Sequence, residues 1–163
     1  MKKKLLITGG SGFLASHLYK FLFKKNFIIK VLDTKQPNYS IKNSNFFKSS
    51  VIEKKKLIKI TKNIDIVFHL AGIKGSIQVT LDKPASFLVP LLMMNTNILE
   101  ASRINKIKRL VYTSSIGAYS KGSLLTEGQR MTDEPMDMFP GHAKRMAELQ
   151  ISAYKKQYKL KNY

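Results

Sequence analysis

Residues with the types and spacing to do chemistry fall first in three places along this sequence. The stretch Lys4-Leu5-Leu6-Ile7-Thr8-Gly9-Gly10-Ser11-Gly12-Phe13-Leu14-Ala15-Ser16-His17 passes from an apolar run through clustered glycines into an apolar-periodic run. That is the order of a strand, a tight turn and a helix, and its chemistry is anion binding. Gly9 can turn the chain sharply, Gly12 lets backbone N–H groups approach a pyrophosphate, and Ala15 lets the helix pack close to the strand. Asp33 closes a second apolar run about twenty residues later. A carboxylate there can accept hydrogen bonds from adenosine ribose hydroxyls and repels a 2′-phosphate, so the implied ligand is NAD rather than NADP. Ser114 and Ser115 end a further apolar run, at the edge beyond which parallel α/β sheets bind ligands. Each feature has a plainer reading: a surface loop for the glycines, a strand-ending turn for Asp33 and for Ser115.

The elements that must position these groups can be read in order. Residues 3–8 form a first strand, 12–25 a helix with Phe13, Leu14, Leu18, Phe21 and Leu22 on its apolar face, and 27–33 a β-branched second strand, together one βαβ unit. A polar loop over 34–45 leads to a short third strand at Phe46-Phe47-Lys48 and a helix over 53–63. The near-continuous apolar run 64–72 is a buried parallel strand. Residues 73–89 suit a loop with a short helical turn, and Pro90 suits the first turn of a helix reaching Asn105. A fifth strand covers 107–115, and 141–158 make an amphipathic helix with Met146, Leu149, Ile151 and Tyr154 as its apolar points. A methionine pair such as Met93-Met94 on a helix reads as core.

The spacing Thr8-Gly9-x-x-Gly12-x-x-Ala15 resembles the glycine turn of the short-chain dehydrogenase/reductase superfamily, and Gly12-Phe13-Leu14 resembles its extended branch, the nucleotide-sugar epimerases and dehydratases. His69-Leu70-Ala71-Gly72 resembles the turn that follows the family's fourth strand, and Ser114-Ser115-Ile116-Gly117-Ala118-Tyr119 its serine signature. The blocks Ile73-Lys74-Gly75-Ser76-Ile77 and Pro84-Ala85-Ser86-Phe87 look like the corresponding region of GDP-sugar epimerases and GDP-fucose synthases. The resemblance implies an α/β, Rossmann-type, doubly wound parallel sheet with helices on both faces. It implies that Gly9, Gly12, Phe13, Leu14, Asp33, Leu70, Ala71, Gly72 and Lys144 hold NAD, that Ser115 orients the substrate hydroxyl, and that His69 belongs to the architecture of the cofactor site. The family commonly ends its third strand in an acidic residue that touches the adenine; Ser49 and Ser50 stand there here.

The catalytic pattern breaks at one position. The family's proton transfer uses a Tyr four residues before a Lys, a spacing that puts both on one helix face, where the cation lowers the phenol pKa. Lys144 matches, followed by Ala147-Glu148, but Pro140 occupies the tyrosine position. None of Tyr112, Tyr119, Tyr154 and Tyr158 has a Lys four residues later, and His142, two residues from Lys144, falls on the other side of a helix. The catalytic set implied is therefore Ser115 and Lys144 without the phenol, and little or no turnover is expected. The family's reaction is hydride transfer from a sugar carbon to NAD, and in many members its return.

With 163 residues, 44% of them apolar, a single domain over 1–163 is expected. No cysteine is present, which rules out a disulfide framework or zinc-thiolate site and fits a reducing cytoplasm; no metal site is expected. Lys2, Lys3 and Lys4 precede an apolar run too short for a signal peptide, and no run is long enough to span a bilayer. The net charge of +19 would attract nucleic acid at low salt. Its lysines come in scattered groups without aromatic interleaving, so a solvated surface is expected and no specific nucleic-acid partner. The sequence reads as the cofactor half of the family, with the sixth strand and the C-terminal substrate lobe absent. A nucleotide-sugar is the implied substrate. The alternative is a non-catalytic dinucleotide-binding module whose uncovered sheet edge recruits a second copy or a partner chain.

Overall fold

The apolar runs become six parallel strands: β1 (Lys4–Thr8), β2 (Ile28–Asp33), β3 (Phe46–Lys48), β4 (Ile66–His69), β5 (Arg109–Tyr112) and β6 (Lys161–Asn162). They lie in the order β3-β2-β1-β4-β5-β6 in a computed structural model that describes residues 2–42, 45–122, 126 and 133–162. The chain builds outward from β1 through β2 to β3, then returns to the other side of β1 with β4. A crevice opens where that direction reverses, beyond the carboxyl ends of β1 and β4. Register brings the chemistry there, because Thr8 pairs with Leu32 and His69, and His69 with Tyr112.

Alternation along each strand divides the core into two layers. Leu6, Val67 and Leu110, none of them exposed, face α2 (Lys54–Ile60), α4 (Ala85–Ile104) and α5 (Met138–Tyr158), where Leu91, Ile98, Leu99 and Ile151 meet them. Leu5, Ile7 and Val31 face α1 (Phe13–Phe23), which contributes Ala15, Tyr19 and Leu22. Full burial of each such Leu or Ile is worth about 1.5–3 kcal/mol, so both layers stabilise the sheet. The short helix α3 (Ile77–Asp82) lies between β4 and α4 and is N-capped by the Ser76 hydroxyl, which accepts from Val79 N–H. Among the described residues no helix is long and apolar enough to cross a membrane.

Four expectations need correction. The buried face of α1 is Ala15, Tyr19 and Leu22, whereas Phe13, Leu14 and Phe21 are exposed. The helix is apolar on more than one side, so periodicity alone could not choose the face. Helix α4 starts at Ala85 rather than Pro90, because Pro84, at φ −60°, is already shaped to start a helix and the earlier start buries Phe87. Helix α5 buries Gly141, Ala143, Ala147 and Ile151 and leaves Met146 and Leu149 exposed, since small residues let it approach α4 closely. The sixth strand is not missing: Lys161 and Asn162 pair with Arg109 and Leu110.

Candidate functional site

The glycine turn is held in a shape few residues other than glycine adopt. Gly9 has φ +70°, and a Cβ placed on it would stand 2.7 Å from the Ala71 backbone, so the exits of β1 and β4 touch here. Gly12 donates to Gly9 O at 3.1 Å and caps α1 in an extended conformation. Having no side chain, it leaves the first N–H groups of the helix, from Phe13 and Leu14 onward, open to an anion. Gly10 N–H bonds Leu32 O at 3.2 Å, and the Tyr39 hydroxyl donates to Gly10 O at 2.6 Å. Burial, with Tyr19 and Asp33 nearby, pushes the Tyr39 phenol up to about 12, so it stays a donor.

Asp33 ends β2 beside this turn. Its Oδ2 accepts from Ser11 N–H and its Oδ1 from Lys35 N–H, both at 2.9 Å. Two main-chain donors fix the carboxylate, and its remaining lone pairs stay available to hydroxyl donors. With Gly9, Thr34, Ser50, Ala71 and Met94 it lines a cavity of about 250 Å³. A second cavity of about 370 Å³ is lined by Lys74, Ser114, Ser115, Asp137, Pro140 and Lys144. Ala71, Gly72 and Ile73 border both, so the two form one cleft along the carboxyl edge of the sheet. A cleft with Gly9 of the glycine turn in its wall, a fixed carboxylate at one end and an ammonium at the other fits the donor and acceptor pattern of a dinucleotide.

Beneath the cleft runs a buried polar relay. Asn95 Nδ2 donates to Ala143 O at 3.4 Å, which turns its Oδ1 to His69 Nε2 at 3.3 Å. Nε2 must then carry the proton, so Nδ1 accepts from the Thr8 hydroxyl at 2.8 Å, and Thr8 Oγ1 in turn accepts from Ala71 N–H at 3.4 Å. His69 is 1% exposed, and burial drives its pKa down to about 4 against the raising effect of Asn95, with Lys144 adding to the fall. The neutral imidazole ties β1, β4, α4 and α5 together and does not line either cavity.

The wall of the second cavity comes from the segment after β5 and from α5 with its N-cap. Lys144 Nζ donates to Thr113 O at 2.7 Å and lies 4.7 Å from the centre of the Tyr112 ring. Burial pulls its pKa down, with the Glu148 carboxylate working against that. Ser114 donates to Glu148, while Ser115 Oγ accepts from Gly117 N–H at 3.2 Å in a 3-10 turn over Ile116–Ala118, keeping its own proton to give. Pro140 is the third residue of α5, where a helix needs no N–H from it, so the helix keeps its regular start without a phenol. Tyr112 cannot replace that phenol, because its hydroxyl is buried away from solvent and burial, reinforced by Glu148, raises its pKa well above the usual range. His142 is exposed and lies outside the cleft.

Of the residues singled out from sequence, Gly9, Asp33, Ala71 and Gly72 line the first cavity. Leu70, Ser115 and Lys144 line the second. Gly12, Phe13 and Leu14 sit at the start of α1, at the turn. Sequence reading missed Asn95 and the hydroxyl of Thr8, whose partners are 26 and 61 residues away, and Asp137, whose neighbours become visible only in the fold.

Comparison with known proteins sets this geometry in context. Residues 5–162 match the model of the NAD dependent epimerase/dehydratase family. A UDP-N-acetyl-alpha-D-glucosaminuronate decarboxylase of Bacillus cytotoxicus is 31% identical over 129 residues, covering 76% of this chain and 40% of the relative. A GDP-mannose 3,5-epimerase of Arabidopsis thaliana is 27% identical over 146 residues, covering 83% of this chain and 39% of the relative. Among solved structures, a UDP-glucose 4-epimerase of Thermus thermophilus in complex with NAD superposes with a TM-score of 0.78 at 25% identity, covering 98% of this chain and 53% of the other. The chain thus spans about 40% of the length of these curated relatives.

Proposed function

The chain belongs to the NAD-dependent epimerase/dehydratase family, and from that premise we propose that it is the NAD-holding half of a nucleotide-sugar epimerase or dehydratase. The observation that carries this is the single cleft from Asp33 to Lys144 along the carboxyl edge, with Gly9 of the glycine turn in its wall. Gly9, Gly12, Phe13 and Leu14 take the pyrophosphate on main-chain N–H groups, Asp33 the adenosine ribose, Leu70, Ala71 and Gly72 the wall, and Lys144 the nicotinamide ribose. NAD, when bound, supplies the hydride acceptor. Ser115 orients a sugar hydroxyl, and Lys74 at the mouth attracts the diphosphate of a nucleotide-sugar. By the family's own phenol route the chain is incomplete, because Pro140 cannot exchange a proton.

Calorimetric titration with NAD and NADP, alone and with UDP- and GDP-sugars, tests the reading. NAD should bind and NADP should bind more weakly, since Asp33 carries the charge that a 2′-phosphate would meet. No binding of either dinucleotide would overturn the assignment.

A second reading has its own observation. Val89 and Met93 on α4 and Met146 and Leu149 on α5 are all 43–64% exposed. The two helices are joined side by side through Gln150 to Thr96 and Tyr154 to Glu100, so the pair presents several apolar side chains to solvent. Exposed apolar side chains on paired helices suit association with a second copy or a partner chain. Sedimentation should show an assembly that Leu149→Lys converts to monomer; a monomer before substitution would end this reading.

A further inference from the structure

The proton-exchanging group missing at position 140 has a candidate replacement on the same wall of the cleft. We propose that Asp137 is the general base and acid of this chain, accepting and returning the proton of the substrate hydroxyl that Ser115 orients. The inference rests on the nucleotide-sugar reading above. Its starting point is that Asp137 contributes the one carboxylate among the described residues lining the 370 Å³ cavity; the other ionisable groups there are Lys74 and Lys144.

An aspartate at the N-cap of a helix ordinarily turns its side chain to the N–H of the second or third helical residue. Asp137 holds the N-cap position of α5 but makes no such bond, and the third residue is Pro140, which has no N–H to offer. The same proline that removes the family's phenol thus takes away one of the two N–H groups an N-cap carboxylate uses, and Asp137 makes no bond to the other. The main chain of Asp137 is clamped on both sides, its N–H to Gly117 O at 3.0 Å and its carbonyl to Gly141 N–H at 2.6 Å. Gly141 itself must be glycine, since a Cβ there would stand 2.3 Å from Gly117 O. The side chain lies over Gly117, where a methyl group would meet Asp137 Oδ2 at 3.4 Å and Ser115 Oγ at 3.5 Å. Asp137 Cβ would stand nearest of all, at 2.8 Å, so the Asp137 side chain packs on Gly117 beside Ser115, and Ser115, Asp137 and Lys144 line the same cavity.

The chemistry balances with NAD as oxidant. The hydroxyl O–H bond breaks and its proton passes to the Asp137 carboxylate. The C–H bond on the same carbon breaks, its electron pair leaves with the hydride to NAD, and a C=O bond forms, so the sugar is oxidised and NAD reduced. Return of the hydride takes the proton back from the carboxyl group. Lys74 and Lys144 line the same cavity as this carboxylate, and Glu148, engaged by Ser114, raises the pKa of Lys144 against burial.

The experiment compares the chain with Asp137→Asn and Asp137→Glu in two measurements on the NAD-loaded protein. The first is calorimetric affinity for UDP-glucose and GDP-mannose. The second is single-turnover formation of reduced nicotinamide with whichever sugar binds. Asp137→Asn should leave sugar affinity within about threefold while slowing reduction by roughly 100-fold or more, and Asp137→Glu should recover part of the rate. NAD affinity should stay within about twofold in both variants, which shows that they fold. An Asn variant with an unchanged rate, or one whose loss is matched by an equal loss of sugar affinity, overturns the proposal, as does a wild type that binds NAD and sugar without reducing it. A wild type that binds NAD but neither sugar also overturns it and leaves the cofactor reading standing. Failure to bind NAD overturns both.

Discussion

The two ends of the cleft are built on different principles. At the Asp33 end the shape is set by a turn: Gly9 at φ +70° lies against the Ala71 backbone, and the Asp33 carboxylate is held by the N–H groups of Ser11 and Lys35. At the Lys144 end it is set by side chains brought from separate segments: Lys144 of α5 on Thr113 O, Ser115 on Gly117 N–H, and Pro140 four residues before Lys144. A turn locked by a positive φ and a close backbone contact admits few substitutions, whereas the third position of a helix asks only that no N–H be needed there. In the function proposed above, the holding of the cofactor and the handling of the proton therefore fall to separate sets of residues.

The comparison is broken most severely by altering the glycine turn. Gly9→Val puts a branched side chain at φ +70° and into the Ala71 backbone, and should cost roughly 3 kcal/mol of stability along with NAD binding. A thermal melt should fall by about 10 °C; an unchanged melt would mean that β1 and β4 can part without penalty.

Next in size is the relay that joins the two ends. The His69 pKa is lowered from 6.5 to about 4 by folding, so the native state excludes a proton that the unfolded chain binds between those values. The stability this contributes is fully present above pH 6.5 and is lost as pH falls toward 4, amounting to about 3 kcal/mol. Urea denaturation at neutral and acidic pH should show that slope in wild type and a shallower one in His69→Phe. Equal slopes would remove His69 from the account.

A smaller effect is expected at the Asp33 end. Asp33→Asn leaves two main-chain donors facing a neutral oxygen and an amide, and should weaken NAD by about 1.5 kcal/mol, roughly tenfold, while narrowing its preference over NADP. A variant that keeps the wild-type preference would show that the carboxylate is only a turn-former.

The mildest change sharpens the contrast instead of breaking it. Pro140→Tyr should alter stability by less than about 0.5 kcal/mol, because the third helical residue has no intrahelical N–H bond to gain or lose. It restores a phenol four residues before Lys144. Ultraviolet titration should reveal one added tyrosine that ionises below the ordinary range; an ordinary titration would mean that Lys144 does not face position 140.

Much of this was legible from residues close in sequence. The glycine turn, the carboxylate of Asp33, the buried run through His69 and the serines after β5 are local patterns, and the sheet placed them at one edge as parallel topology requires. Faces of helices were less legible. Helix α1 offers apolar residues all round, and only the sheet selected Ala15, Tyr19 and Leu22 over Phe13 and Phe21. In α5 the bulky Met146 and Leu149 looked like core, yet close contact with α4 gave the interior to Gly141, Ala143 and Ala147.

What the sequence determined by itself is the fold and the cofactor, because both depend on short-range constraints: apolar runs of strand length, a turn that only glycine can make, and a carboxylate at the end of the next strand. What only the tertiary structure decided is which side chains share the Lys144 end of the cleft. Asp137 and Ser115 lie 22 positions apart and both stand beside Gly117, lining one cavity. Asn95 reaches His69 and Ala143 from a third element. Such meetings are set by how α4 and α5 pack on the sheet, and no spacing along the chain encodes them.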